Sequence, residues 1–490
     1  MLPSAVHDGA GARVVDALFT GLVRYDTVTG QPLLAVAESI SSRDEQHWII
    51  TIEKGWTFHN GEPVTSENFV RAWRAAARDA SGWPGSAAKL AGLAVVDDRT
   101  FTVTLTEPFS QFPTLLGKPA FMPLPKVAFG NFEEFAAKPI GNGPYQMAGP
   151  WRHDGNIELT RYDDYTKRRE RTGEADDAAA DEDEDDVEYR GGMFEAEVQD
   201  LTYKIYSDPG AAYRDLQEGK LDVMPSVPAT RFEEAQEDFG SRFVFRPGTT
   251  MTYLGFPLYN DRFDDPRLRR AISMAIDREK IVEEFFAGVY TPAASLVSPA
   301  LSRAQEQPCA DWCDFQPERA RQLFEAAGGY DGTLRLWYSA GSHDRRWMQA
   351  VATMLERHLG IDEVELRSRD SAAYTNAVSE QEMSAPWRFA WSPGYPSQHA
   401  YLASMFTTGG DANDTGYANE RVDTLVRQGA HADSMDKAMD YYHHAENIVL
   451  GDMPVVPLWV HNTNAAHSSY VSGVIVSPSG HISVARVEES

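Results

Sequence analysis

Cysteine is scarce in this chain, basic charge is outweighed, and no long apolar run exists: two Cys stand among 490 residues, with 45 Lys and Arg against 73 Asp and Glu. Each shortage excludes something. A helix that spans a bilayer needs roughly 18 consecutive apolar residues, and no segment approaches that. The net charge of -28 removes the clustered cations that nucleic acid or an anionic membrane surface attracts. The opening MLPSAVHDGAGARVV has no basic stretch followed by an apolar one, so either the protein is cytosolic or its export signal is missing from this sequence. Cys309 and Cys313, close together in QPCADWCDF, are too few for zinc, which needs further ligands that no nearby His supplies. They are two free thiols or a short loop disulfide, and the even count in an exported protein favours the disulfide.

Catalytic signatures are missing as well. There is no G-x-S-x-G elbow, no H-E-x-x-H and no Walker-type glycine loop, so hydrolase, zincin and nucleotide chemistry lack their local marks. A glycosidase pair leaves no such mark, because its two carboxylates are distant in the chain. His443 and His444 are adjacent on an expected helix and point about 100 degrees apart, so they cannot chelate one ion together. We therefore assign no catalytic residue, no metal site and no cofactor, and expect a binding protein. No period of roughly 20 to 50 residues recurs, which excludes solenoids and propellers.

What is present is an ordinary globular composition, 42% apolar and 11% aromatic, in a chain long enough for two or three domains. HWIITIEKGWTF alternates Trp48, Ile50 and Ile52 onto one face, and FTVTLTEPF does the same with Phe101, Val103 and Leu105; both read as half-buried strands. SENFVRAWRAAARDA reads as a helix capped near Ser66, with Phe69, Val70, Trp73 and Ala77 on its apolar face. DDPRLRRAISMAIDREKIVEEFF reads as one helix opened by Asp265 and Pro266, with Leu268, Ile272, Ala275 and Ile276 as its stripe. Helices at Pro317 and around Trp347, with the strand TLRLWYSA before the second, continue an α/β alternation. The run EADDAAADEDEDDVE, 174–188, reads as a solvated loop.

One stretch departs from the acidic background. FAWSPGYPSQHAYL, Phe389 to Leu402, has aromatics, two prolines and a glycine but no formal charge. Prolines and glycine disfavour regular structure, while uncharged aromatics are what a mostly apolar pocket shows.

The order of motifs resembles the extracytoplasmic solute-binding proteins of the peptide and nickel transporter family. The resemblance runs through ALFTGLVRYDTVTGQPLLAVAES, the block IEKGWTFHNGEPVTSENFVRAWR, KPIGNGPYQM, LTRYDDYT, LQEGKLDVM and MTYLGFPLYN, and near the end TGYANERVDTLV and DMPVVPLWV. In HNGEP, Asn60 and Gly61 suit a tight turn and Thr65 or Ser66 a helix cap, so no ligand contact is assigned there. The resemblance implies an α/β fold, a two-lobed periplasmic-binding-protein-like clamshell with an extra inserted subdomain. Residues 1–28, 140–247 and 468–490 would form the first lobe, 29–139 its inserted subdomain and 248–467 the second lobe.

It also implies a function: a monomer that captures a peptide or peptide-like solute by lobe closure and delivers it to ABC transporter permease subunits. The setting is extracytoplasmic, as a cell-surface lipoprotein or in the periplasm, and a non-peptide solute or a sensor role without transport are the alternatives. In peptide-binding relatives a loop of pattern R-x-G-W-x-x-D-Y walls the cleft, and its aspartate pairs with the ligand's α-amino group. Here Arg388, Trp391 and Tyr395 match, Ser392 lies between them, and Gly394 occupies the aspartate position. A buried ammonium without a carboxylate loses on the order of several kcal/mol. Either another acid, among Asp370, Glu380, Glu382, Asp411 and Asp414, reaches the pocket, or the solute has no free amine there. Tyr253 and Gly255 in TYLGFP, Asn413 and Asp414, and Trp459 are further candidate contacts. For a metal chelate, a single histidine such as His399 or His461 would complete the shell.

Overall fold

The computed structural model describes residues 1–6, 9–78, 90–152, 155–165, 196–342 and 344–490; the acidic run 174–188 lies outside the described residues. The chain divides into two compact units, 1–245 with 463–490, and 246–462. Sequence reading set these divisions at 247/248 and 467/468. The divisions at 245/246 and 462/463 fall inside the strands Phe243–Gly255 and Val455–His467, the first of which runs on without a break through Pro247 and Gly248.

In the first unit, a four-stranded antiparallel sheet runs in the order Ala37–Ser42, His47–Ile52, Thr100–Leu105, Leu90–Val95. Trp48, Ile50 and Ile52 are buried with Phe101, Val103 and Leu105, as the period of two requires. The helix Ser66–Ala76 covers that face: the Trp73 ring meets Phe101 edge-on at 5.6 Å, and Phe69 stacks on Phe101 at 5.9 Å. Its cap is Thr65, whose N–H donates to Asn68 Oδ1 at 2.8 Å. Ser66 instead lies in the first turn and hydrogen-bonds Asp97 O. Ala76, and not Ala77, completes the buried stripe.

The HNGEP turn is an architectural clamp. Gly141 N donates to His59 Nδ1 and His59 Nε2 donates to Gly143 O, both at 3.1 Å. Burial lowers the His59 pKa to about 4, so the ring is neutral with its proton on Nε2. Between those glycines, Asn142 takes the Thr20 N–H at 3.0 Å and donates to Thr20 O at 2.9 Å. A Cβ on Gly141 would lie 1.8 Å from Leu18 O. Only glycine lets KPIGNGPYQM approach the end of the Gly9–Leu18 helix this closely.

In the second unit the strand order is Val455–His467, Phe243–Gly255, Trp387–Trp391, Leu334–Ser339, Val364–Arg369. Leu334–Ser339 is parallel to both Val364–Arg369 and Trp387–Trp391. One contiguous core underlies the unit, from Met251 to Val460. The segment read as a single helix is two, Pro266–Met274 and Arg278–Phe286, each capped by an aspartate: Asp265 accepts from Arg267 N, and Asp277 from Lys280 N at 3.0 Å. Arg278 explains the break. It turns fully inward and donates to Pro457 O at 2.7 Å, Ser273 O at 3.1 Å and Ile276 O at 3.3 Å. Ser273 O belongs to the last turn of the first helix and Ile276 O to the residues just after it, so these carbonyls are satisfied without the helix continuing. Arg278 also donates to Cys313 O, and Cys313 is joined to Cys309 by a disulfide. No described helix is long and apolar enough to cross a membrane.

Candidate functional site

In open α/β sheets, ligands sit outside the carboxyl ends of parallel strands, where loops lead into helices. In the second unit three such ends share one edge, those of Leu334–Ser339, Val364–Arg369 and Trp387–Trp391. Each leads into a helix, Arg345–Leu359, Ser371–Ser379 or Gln398–Phe406, with Asp344, Asp370 or Ser397 at its N-cap. Asp370 accepts from Ala373 N at 3.1 Å, and Ser397 Oγ from His399 N at 3.2 Å. The uncharged loop 392–397 is one of the three connections.

The strand before it alternates. Trp387, Phe389 and Trp391 face one way and Arg388 and Ala390 the other. Trp391 is half-buried, with its ring edge-on to Tyr401 at 5.0 Å. Ser392 and Gly394 are exposed, and Ser392 Oγ is hydrogen-bonded to Thr250 Oγ1. Tyr395 turns inward instead: it is buried, and its hydroxyl lies 2.9 Å from His399 Nδ1. Burial holds His399 at a pKa of about 4, so the ring is neutral, and its Nδ1 is taken up by the Tyr395 hydroxyl.

On the other face a polar cluster gathers. Arg388 Nε is 3.4 Å from Asp344 Oδ2. Thr252, whose strand partner is Ala390, has its Oγ1 2.7 Å from His461 Nε2, and His461 stacks on Tyr290 at 4.5 Å between centroids. Burial first, and then the Arg388 charge, lower the His461 pKa to about 4, against an opposing pull from Asp344.

Several expected contacts are packing residues. Tyr253 is fully buried, stacks on Phe389 at 5.2 Å and donates its hydroxyl to Leu296 O at 2.7 Å. Trp459 is 1% exposed and meets Trp347 edge-on at 4.7 Å. At Gly255 an added Cβ would stand 2.9 Å from the Trp387 ring, so the glycine admits that indole. Asn413 is buried, and its amide is taken up by its own turn, donating to Thr407 O at 2.8 Å and Tyr417 O at 2.7 Å. Asp414, beside it, is half-buried, and burial raises its pKa. No hydrogen bond among the described residues joins Asn413 or Asp414 to the strand Trp387–Trp391.

Asp344 is the acid that sequence reading passed over. Asp370 acts as a cap, Glu380, Glu382 and Asp411 are exposed, and none pairs with Arg388. Asp344 does, because it ends the connection from TLRLWYSA into the next helix; an N-cap acid after a parallel strand was the available signal. The adjacent pair His443 and His444 is separately engaged, by Arg303 O at 2.9 Å and by Arg421 Nη2 at 3.0 Å. Among the described residues no cluster of His, Cys, Asp and Glu could hold a metal ion.

The family described as "Bacterial extracellular solute-binding proteins, family 5 Middle" matches residues 31–413. The dipeptide-binding protein DppE of Bacillus subtilis is 25% identical over 92% of this chain and 83% of its own. Among solved structures, HbpA2 from Haemophilus parasuis has a TM-score of 0.86 at 19% identity, covering 100% of this chain and 97% of its own. The oligopeptide-binding protein AppA of Bacillus subtilis, in complex with a nonapeptide, has a TM-score of 0.70 at 21% identity, covering 100% and 96%.

Proposed function

The chain belongs to the bacterial extracellular solute-binding proteins, family 5, and from that premise we propose that it is the substrate-binding component of an ABC importer, taking an oligopeptide or peptide-like solute. It hands that solute to the membrane permease. The observation that carries the solute assignment is the wall at the carboxyl edge of the second unit's parallel strands. There an exposed, uncharged loop follows half-buried Trp391, and Arg388 lies on the opposite face of the same strand. An aromatic platform with a few placed donors suits a peptide, whose side chains are varied and whose backbone supplies regular acceptors. Relatives named for dipeptide and oligopeptide binding support the same class. The protein works outside the cytoplasm, as a lipoprotein or in the periplasm, and as a monomer.

A second reading, a solute without a free amine such as an oligosaccharide, is favoured by one observation: Gly394 offers no carboxylate at the wall. Native mass spectrometry of protein purified from its own cells separates the two. A ladder of peptide masses is expected; a hexose series overturns the peptide assignment. If deleting the protein leaves uptake of the co-purified solute unchanged, it is a sensor and not an importer component.

A further inference from the structure

Arg388 and Asp344 make an unusual pair. Their side chains are 25% and 11% exposed, and the Nε and Oδ2 atoms that face each other at 3.4 Å are both buried without a completed hydrogen bond. Asp344 Oδ1 is engaged by the Trp347 indole N–H at 3.0 Å. Asp344 Oδ2 is buried and faces the Arg388 guanidinium, so the carboxylate is directed at Arg388 and not at the place of the acid missing at Gly394. The Arg388 Nη atoms, in contrast, have no protein partner among the described residues. The Arg388 charge is felt by His461 and Tyr290, which stack on each other, and burial keeps His461 neutral.

We infer that Asp344 is a specificity-determining positioning residue: by compensating the charge of Arg388, it sets the Nη fork to donate to uncharged carbonyl oxygens instead of selecting a solute carboxylate. The inference rests on the peptide reading of this wall and deepens it. A carboxylate at the fork feels Arg388 attract it and Asp344, only a few ångströms further away, repel it, so much of its electrostatic advantage over an amide is lost. An amide carbonyl keeps both donors and meets little repulsion. The substrate class is then a peptide that presents a backbone amide or a blocked terminus at Arg388, and not a free carboxyl end.

The test uses the full chain, freed of co-purified solute, and two equimolar mixtures of di- to pentapeptides, one with C-terminal carboxylates and one with carboxamides. Retention of each is read by affinity-selection mass spectrometry. Wild-type protein is expected to hold the two within about threefold of each other. Asp344→Asn keeps an acceptor for Trp347 but uncovers Arg388, and is expected to raise the carboxylate-to-carboxamide ratio about tenfold. Adding Arg388→Gln to Asp344→Asn should abolish that gain. An unchanged ratio in Asp344→Asn, an equal fall in both mixtures, or a wild-type preference for carboxylates of about tenfold overturns the inference. If wild-type protein retains neither mixture, the peptide reading itself fails, and the inference with it.

Discussion

At Gly255 the missing side chain is what lets the Trp387 indole lie flat on the opposing strand, with Phe389 3.1 Å from where a Cβ would be. Trp387 is fully buried and its ring cannot yield. Gly255→Ala is therefore expected to destabilise the second unit by about 1–3 kcal/mol, measured by denaturant unfolding. Trp391→Ala should behave in the opposite way. Its ring is half-buried against a single aromatic neighbour, so solute affinity is expected to fall while the melting temperature changes little. A large fall in melting temperature with affinity kept would return Trp391 to the core. These two residues show how much of the candidate site was legible. The loop announced itself by composition, whereas Tyr253 and Trp459 are aromatic residues whose engagement is set by partners far away in the chain. Asp344 and Arg388 are 44 positions apart by their numbering, and no local pattern couples them.

At the scale of elements, hydrophobic period and capping chemistry predicted helices and strands well, and erred where a tertiary partner intervened. DDPRLRRAISMAIDREKIVEEFF has helical periodicity throughout, yet Arg278 breaks it by reaching backbone carbonyls inside the core. A comparable long-range tie joins the C-terminal segment to the Gly9–Leu18 helix, where His481 Nδ1 lies 2.9 Å from Asp16. Asp16 raises the His481 pKa from its ordinary 6.5, against burial and a smaller opposing effect of Arg13. The folded state thus binds the proton more tightly than the unfolded state. The stabilisation is fully present below the unfolded pKa of about 6.5 and is lost as pH rises through the raised folded value. Wild-type protein should lose stability on going from pH 6 to pH 8 more steeply than His481→Asn. Identical slopes would show that the pair contributes nothing.

For the whole molecule, a solute that binds only the folded chain raises its stability by mass action, about 2.7 kcal/mol at a hundredfold excess over Kd. In a unit of this size that corresponds to an increase in melting temperature of about 5 °C or more. Adding the solute identified by mass spectrometry to stripped protein should reproduce that shift, and no shift would mean that the co-purified molecule is not the ligand. The amino-acid sequence by itself determined the α/β class, the motif order of its family, the strand faces, most helix starts and the uncharged wall loop. Those depend on period, capping and turn chemistry, which act within a few residues. Only the tertiary structure decided that the divisions between units fall within continuous strands, that His59 is a clamp, and that Asp344 accompanies Arg388. Each of these depends on segments brought together across long stretches of chain, where burial and pairing settle what a side chain does.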